Sequence, residues 1–120
     1  MLELGIERMG ELAVVECKGR IVRSEAAFKL RRAVTSLEDS RIVVLDLSEV
    51  SAIEGGGLGM LLFLERWAFD HEIQFKLFNP TKSVCERLEL VSSIRPFNTA
   101  SLHEMITLLA NADGRFALAA

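Results

Sequence analysis

Two hydrophobic periods alternate along this chain, and their order predicts its architecture. Residues 4–8 and 12–18 read as short strands, with Met9-Gly10-Glu11 as a hairpin turn between them. Ala13, Val14, Val15 and Cys17 are mostly apolar and suit an inner strand. Residues 41–47, RIVVLDL, form a continuous apolar run, as expected of a central strand buried on both faces. Residues 73–78, IQFKLF, alternate with period two and put Ile73, Phe75 and Leu77 on one face.

Helical spacing fills the gaps. Ser24 can cap a helix reaching about Leu37, with Ala26, Leu30, Ala33 and Leu37 as its inner stripe. A strongly apolar helix is expected from Gly57 to about Phe69. Asn79 as cap and Pro80 in the first turn predict a third, with Val84, Leu88 and Val91 inward. Ser101-Leu102-His103-Glu104 is a capping box, because hydroxyl and carboxylate can each satisfy a free amide. It opens a last helix with Leu102, Met105, Ile106 and Leu109 inward. The order is ββαβαβα(β)α, with 96–98 as the place for a last short strand. This predicts an α/β fold: a mixed four- to five-stranded β-sheet with about four α-helices, parallel pairs and right-handed crossovers. One domain is expected over residues 1–112. The end, 113–120, loses periodicity after Asp113-Gly114 and is expected to be a loose tail.

Composition narrows the function. The chain has 120 residues, half of them hydrophobic, enough for one core without metal or disulfides. Fourteen basic residues are scattered against 17 acidic ones, for a net charge of −3. Nucleic-acid binding needs a concentrated basic face, so it is not expected. Cys17 and Cys85 lie far apart within apolar patterns, which suits reduced thiols and no metal site. The first residues lack a basic segment followed by an apolar stretch, and the longest apolar run is far below the ~20 residues of a membrane span. A cytoplasmic protein without membrane insertion is expected.

Residues 42–64, IVVLDLSEVSAIEGGGLGMLLFL, resemble the signature of STAS domains, above all those of bacterial anti-sigma factor antagonists. The match is a buried strand ending in Asp-Leu-Ser, a short loop, an acidic residue, two small residues, then Gly-Leu and a helix. Gly19-Arg20-Ile21 resembles the turn after the family's second strand. Residues 79–90 resemble its third helix, and 97–105 its last strand and helix. The resemblance implies a transcription regulator that binds an anti-sigma factor, itself a serine kinase, and is switched off by phosphorylation at the helix start. Other members serve stress complexes or transporters, so a STAS subunit of a transporter or signalling complex is the alternative.

The loop at that helix start departs from the family. Glu54 occupies the usual Asp position, Gly55 and Gly56 replace a hydroxyl pair, and Gly57 matches. Gly56 stands where the phosphoacceptor would be, and glycine has no oxygen to phosphorylate, so no acceptor is expected there. Val22 stands where antagonists usually carry an Asp. The glycines read either as a tight strand-to-helix turn or as a bare surface on which a partner lies. Ser48 and Ser51 are nearby hydroxyls, and Ser51 is the candidate for a displaced phosphorylation site.

At ~100° per residue, Gly57, Leu61, Leu64 and Ala68 share one side of the second helix, while Leu62, Phe63 and Arg66 fall towards the other, with Trp67 at its edge. Phe63 and Trp67 either pack on neighbouring helices or anchor a partner. The candidate contact set is therefore Glu54, Gly55, Gly56, Gly57, Leu62, Phe63 and Arg66, and a homodimer is a further option. An anion or nucleotide sensor at the helix start is the other alternative. Glu54 opposes it by like-charge repulsion of about 1 kcal/mol. No catalysis and no cofactor are expected: His71 and His103 have no nucleophile motif beside them, and the glycines lack P-loop spacing.

Overall fold

The computed structural model describes residues 2–22, 24–91 and 97–113. Their elements run β1 (Leu2–Met9), β2 (Leu12–Ile21), α1 (Ser24–Thr35), β3 (Ile42–Ile53), α2 (Gly56–Asp70), β4 (Gln74–Phe78), α3 (Lys82–Val91), β5 (Thr99–Ala100) and α4 (Leu102–Asp113). The five strands form one sheet in sequence order. β1 and β2 are antiparallel, and every later pair is parallel. The mixed α/β sheet with four helices follows the expected order.

The β1–β2 turn is Gly10-Glu11, closed by the Met9–Leu12 pair. Gly10 has φ of 60° at its first central position, where two-residue hairpins of one common type need glycine. β3 is longer than the apolar run suggests. It continues through Ser51 to Ile53, so Asp-Leu-Ser is followed by strand and not by a loop. β2 likewise extends through Gly19-Arg20-Ile21, with register shifts at Glu16/Lys18 and Gly19/Arg20, and Gly19 adopts φ of 115°. The turn expected at Gly19 is thus an irregularity inside a strand. The last strand is Thr99–Ala100, one step beyond 96–98.

The sheet is covered unequally. One face carries the larger core, where Val15, Val43, Leu45, Leu47 and Leu77 meet Leu30 and Val34 of α1, Leu61 and Leu64 of α2, and Val84 and Leu88 of α3. The other face carries Leu12, Val14 and Val44 beneath Met105 of α4. Three helix details differ from the sequence reading. In α1 the buried residues are Ala27, Leu30 and Val34, Ala26 and Ala33 are only half-buried, and the helix ends at Thr35, so buried Leu37 lies in the turn that follows. In α4 the inward set is Met105 with half-buried Leu108, Leu109 and Ala112, and Leu102 and Ile106 are exposed. α3 is capped by Thr81, whose Oγ1 accepts from the Val84 amide at 3.4 Å and whose carbonyl accepts from Cys85 N–H at 2.8 Å. Asn79 takes φ of 50° and stands, with Pro80, before the helix. The side chain of Val91 and the segment 114–120 of the expected tail lie outside the described residues.

Candidate functional site

The strand-to-helix turn is built on Ile21, the last residue of β2. Its carbonyl accepts from the Glu54 amide at 3.3 Å, tying the end of β3 to the end of β2. Gly57 then packs against that carbonyl so closely that an added Cβ would overlap it and stand 2.9 Å from Ile21 Cγ2. This glycine is buried, the close approach demands it, and it offers no surface to a visitor. Of the four loop residues in the candidate contact set, Gly57 is therefore a packing residue, and Glu54, Gly55 and Gly56 are exposed.

The two exposed glycines differ. Gly55, the helix N-cap, has φ 50° and ψ −114° and makes no side-chain cap bond. An L-residue adopts that backbone only with strain. Gly56 has no positive φ, and a Cβ there would meet nothing within 4 Å. Neither packing nor backbone geometry requires glycine at 56, so a tight turn accounts for Gly55 and Gly57 but not for Gly56. Glu54 is held by Arg87 of α3, Nη2 to Oε1 2.8 Å, with both side chains about half exposed. The guanidinium offsets part of the repulsion that Glu54 would exert on an anion at the helix start.

The second helix divides as its spacing predicts. Gly57, Leu61, Leu64 and Ala68 are buried, and Leu62 and Phe63 keep 41% and 40% of their surface exposed. The Arg31 guanidinium of α1 lies 4.6 Å from the Phe63 ring centroid, a cation–π contact that sets Phe63 between the two helices. Arg66 is exposed and pairs with Asp70 one turn on, Nε to Oδ1 3.2 Å. Trp67 is half-buried against the core, and His71 stacks on it at 4.6 Å. Phe28 of α1 is 54% exposed, an apolar residue on the neighbouring helix that the sequence reading missed. It falls outside the inner stripe, which alone would have marked it.

Ser51 is exposed on β3, and its Oγ donates to the Gly19 carbonyl at 3.3 Å. Ser48 donates to Asp46 Oδ1 at 2.6 Å and is half-buried. Val22 is half-buried. Burial, with the Asp46 charge as a second cause, raises the Cys17 thiol from its usual 9.0 to about 12. A cavity of about 400 Å³ lies away from this loop, lined by Phe78, Pro80, Cys85, Thr99 and Leu102 among others. It takes in none of the candidate contact residues. No helix among the described residues is long and apolar enough to cross a membrane.

A mixed sheet, three helices on one face and one on the other, and an exposed turn leading into an apolar helix define a small α/β domain that displays a helix start. The STAS domain family matches residues 5–112, and the chain belongs to that family. Among solved structures it resembles the anti-sigma factor antagonist SpoIIAA in its unphosphorylated form. That match has 17% identity and a TM-score of 0.71, and covers 91% of this chain and 97% of the other. An anti-sigma factor antagonist from Mycobacterium paratuberculosis matches at 18% identity and TM-score 0.70, over 90% and 93%. A singly substituted RsbS from Moorella thermoacetica matches at 18% and 0.71, over 90% and 95%. At these identities the likeness is one of fold. No curated protein matches the sequence.

Proposed function

We propose that this chain is a protein-binding regulator of the anti-sigma factor antagonist kind, docking an anti-sigma factor or kinase-type partner through Glu54, Gly55, Gly56 and the Leu62–Phe63–Arg66 side of α2. Position 56 carries no phosphoryl switch. The observation that carries the reading is the bare, exposed Gly56, which the fold does not require, beside two large apolar side chains left in water. Leu62 and Phe63 are each a little over half covered, so a partner that finished the task would gain about 1 kcal/mol from each. Structural neighbours support the class. Two are anti-sigma factor antagonists, and SpoIIAA is known in both unphosphorylated and phosphorylated forms.

The test uses the open space at position 56. The Cβ that Gly56→Asp or Gly56→Ser adds would meet nothing within 4 Å on an exposed residue, so neither should unfold the domain. Binding to an anti-sigma factor/kinase from the same cell should fall at least about tenfold with Asp, from the burial of an unpaired charge. The Ser variant should bind and become a kinase substrate at residue 56, while wild type gains no phosphate there. Undiminished binding by Gly56→Asp would remove the loop from the contact. Phosphate on Ser51 of the wild type would replace the unswitched reading with a displaced switch.

A further inference from the structure

The sheet has one long open edge. β1 spans eight residues and, among the described residues, pairs on one side alone, with β2. Because Met9 and Leu12 close a two-residue hairpin, their backbone groups face each other. Backbone direction alternates along a strand, so Glu3, Gly5, Glu7 and Met9 bond to β2, and Leu2, Leu4, Ile6 and Arg8 turn their N–H and C=O groups outward. One contact agrees with this parity: the Leu2 carbonyl accepts a 2.6 Å bond from Lys29 Nζ of α1. The lysine caps the edge at Leu2 and leaves the outward groups of Leu4, Ile6 and Arg8 beyond it. The Ile6 side chain, in the middle of this open stretch, is 42% exposed.

We propose that the β1 edge pairs antiparallel with β1 of a second copy, about a two-fold axis at Ile6. Unpaired strand edges are templates for such addition, and a two-fold contact must be self-complementary. Outward groups meet outward groups only where even-numbered residues oppose each other, which leaves few registers. With Ile6 opposite Ile6 of the second copy, Leu4 opposes Arg8, Gly5 opposes Glu7 and Glu3 opposes Met9. The register centred on Gly5 would set Glu3 directly opposite Glu7 twice, a destabilising like-charge pair. It would also need the Leu2 carbonyl that Lys29 already occupies. At Ile6 the Leu2 carbonyl is not needed, the carboxylates move from directly opposite to more distant diagonal positions, and Gly5, with nothing within 4 Å of a built Cβ, leaves room for the Glu7 stem. A single strand edge is smaller than a standard interface, so the dimer is dissociable and grows with concentration.

Sedimentation of the whole chain over a concentration series tests the pairing. Wild type should move from monomer to dimer. Ile6→Pro removes an N–H that points away from β2, so it should weaken the dimer at least about tenfold while circular dichroism stays native. Ile6→Lys, which keeps the N–H and needs no change of φ, should do the same through charge repulsion and serves if proline unfolds the strand. Register is read by cross-linking in a Cys85→Ser background. Opposed Ile6 Cα atoms would lie about 5.5 Å apart, within disulfide range, so Ile6→Cys should cross-link much faster than Gly5→Cys. A wild type that stays monomeric throughout, a dimer indifferent to both Ile6 variants, or faster cross-linking at residue 5 would each overturn the proposal.

Discussion

The three consecutive glycines of the α2 entry should respond to alanine in three different ways. At Gly57 the new methyl would overlap the Ile21 carbonyl and crowd Ile21 Cγ2 at 2.9 Å, and the carbonyl is also holding the Glu54 amide. Overpacking costs about 1–3 kcal/mol, and the upper end applies because the obstacle is backbone. Helix propensity returns about 1 kcal/mol, so the net loss is about 2 kcal/mol. At Gly55 space is open but φ of 50° with ψ of −114° is not, and alanine should cost about 2 kcal/mol through strain alone. At Gly56 neither objection holds, and alanine should leave stability unchanged or raise it by about 0.5 kcal/mol. Thermal melts should fall by roughly 8 °C for Gly57→Ala and for Gly55→Ala, with Gly56→Ala at or above wild type. A Gly56→Ala loss as large as that of its neighbours, or a Gly57→Ala variant that melts like wild type, would refute this division of roles among the glycines.

Two further outcomes follow from local chemistry. The Cys17 thiol is raised from 9.0 to about 12, so the folded protein holds its proton where the unfolded chain releases it. Its contribution is complete below pH 9 and lost progressively towards pH 12, up to about 4 kcal/mol, and Cys17→Ala should flatten that alkaline decline in urea titrations. The α4 capping box is closed in both directions, with Ser101 Oγ accepting from the Glu104 amide at 3.1 Å and Glu104 Oε1 accepting from the Ser101 amide at 3.3 Å. Ser101→Ala should cost about 1 kcal/mol, read from the urea midpoint. An unchanged midpoint would show that α4 is held by its side chains alone.

Much of this was legible in the residues, and the failures share a cause. The α2 stripe could be read because its outward neighbours include Glu65 and Arg66, which break the apolar pattern and fix its phase. In α4, apolar residues at 102, 105, 106, 108, 109 and 110 surround the helix, so spacing could not choose between Ile106 and Leu108, and the sheet chose Leu108. In α1, adjacent Ala26 and Ala27 left the phase open by one residue. Asn79 failed as a cap because both it and Thr81 are good cap residues, and Thr81 also donates to the Val50 carbonyl at 3.1 Å, a bond with no local trace. The extension of β3 past Asp-Leu-Ser was hidden because that half of the strand is partly exposed, and polar Ser48, Glu49 and Ser51 read as loop. Glu54, Gly55 and Gly56 could be placed from sequence, but the packing duty of Gly57 depends on Ile21, more than thirty residues upstream, and the strained turn at Gly55 on a backbone angle that no neighbouring residue announces.

The uneven cover of the sheet divides the molecule into a firm side and a soft one. α1, α2 and α3 share one deep apolar layer, so none can leave without exposing the residues that hold the other two. α4 rests on a separate and much smaller layer, with Met105 as its buried anchor and a two-residue strand leading into it. Its detachment would disturb only this smaller layer, baring Val14 and Val44 while leaving the α2 entry intact. The two faces are therefore packed separately, and one apolar layer can loosen while the other stays closed.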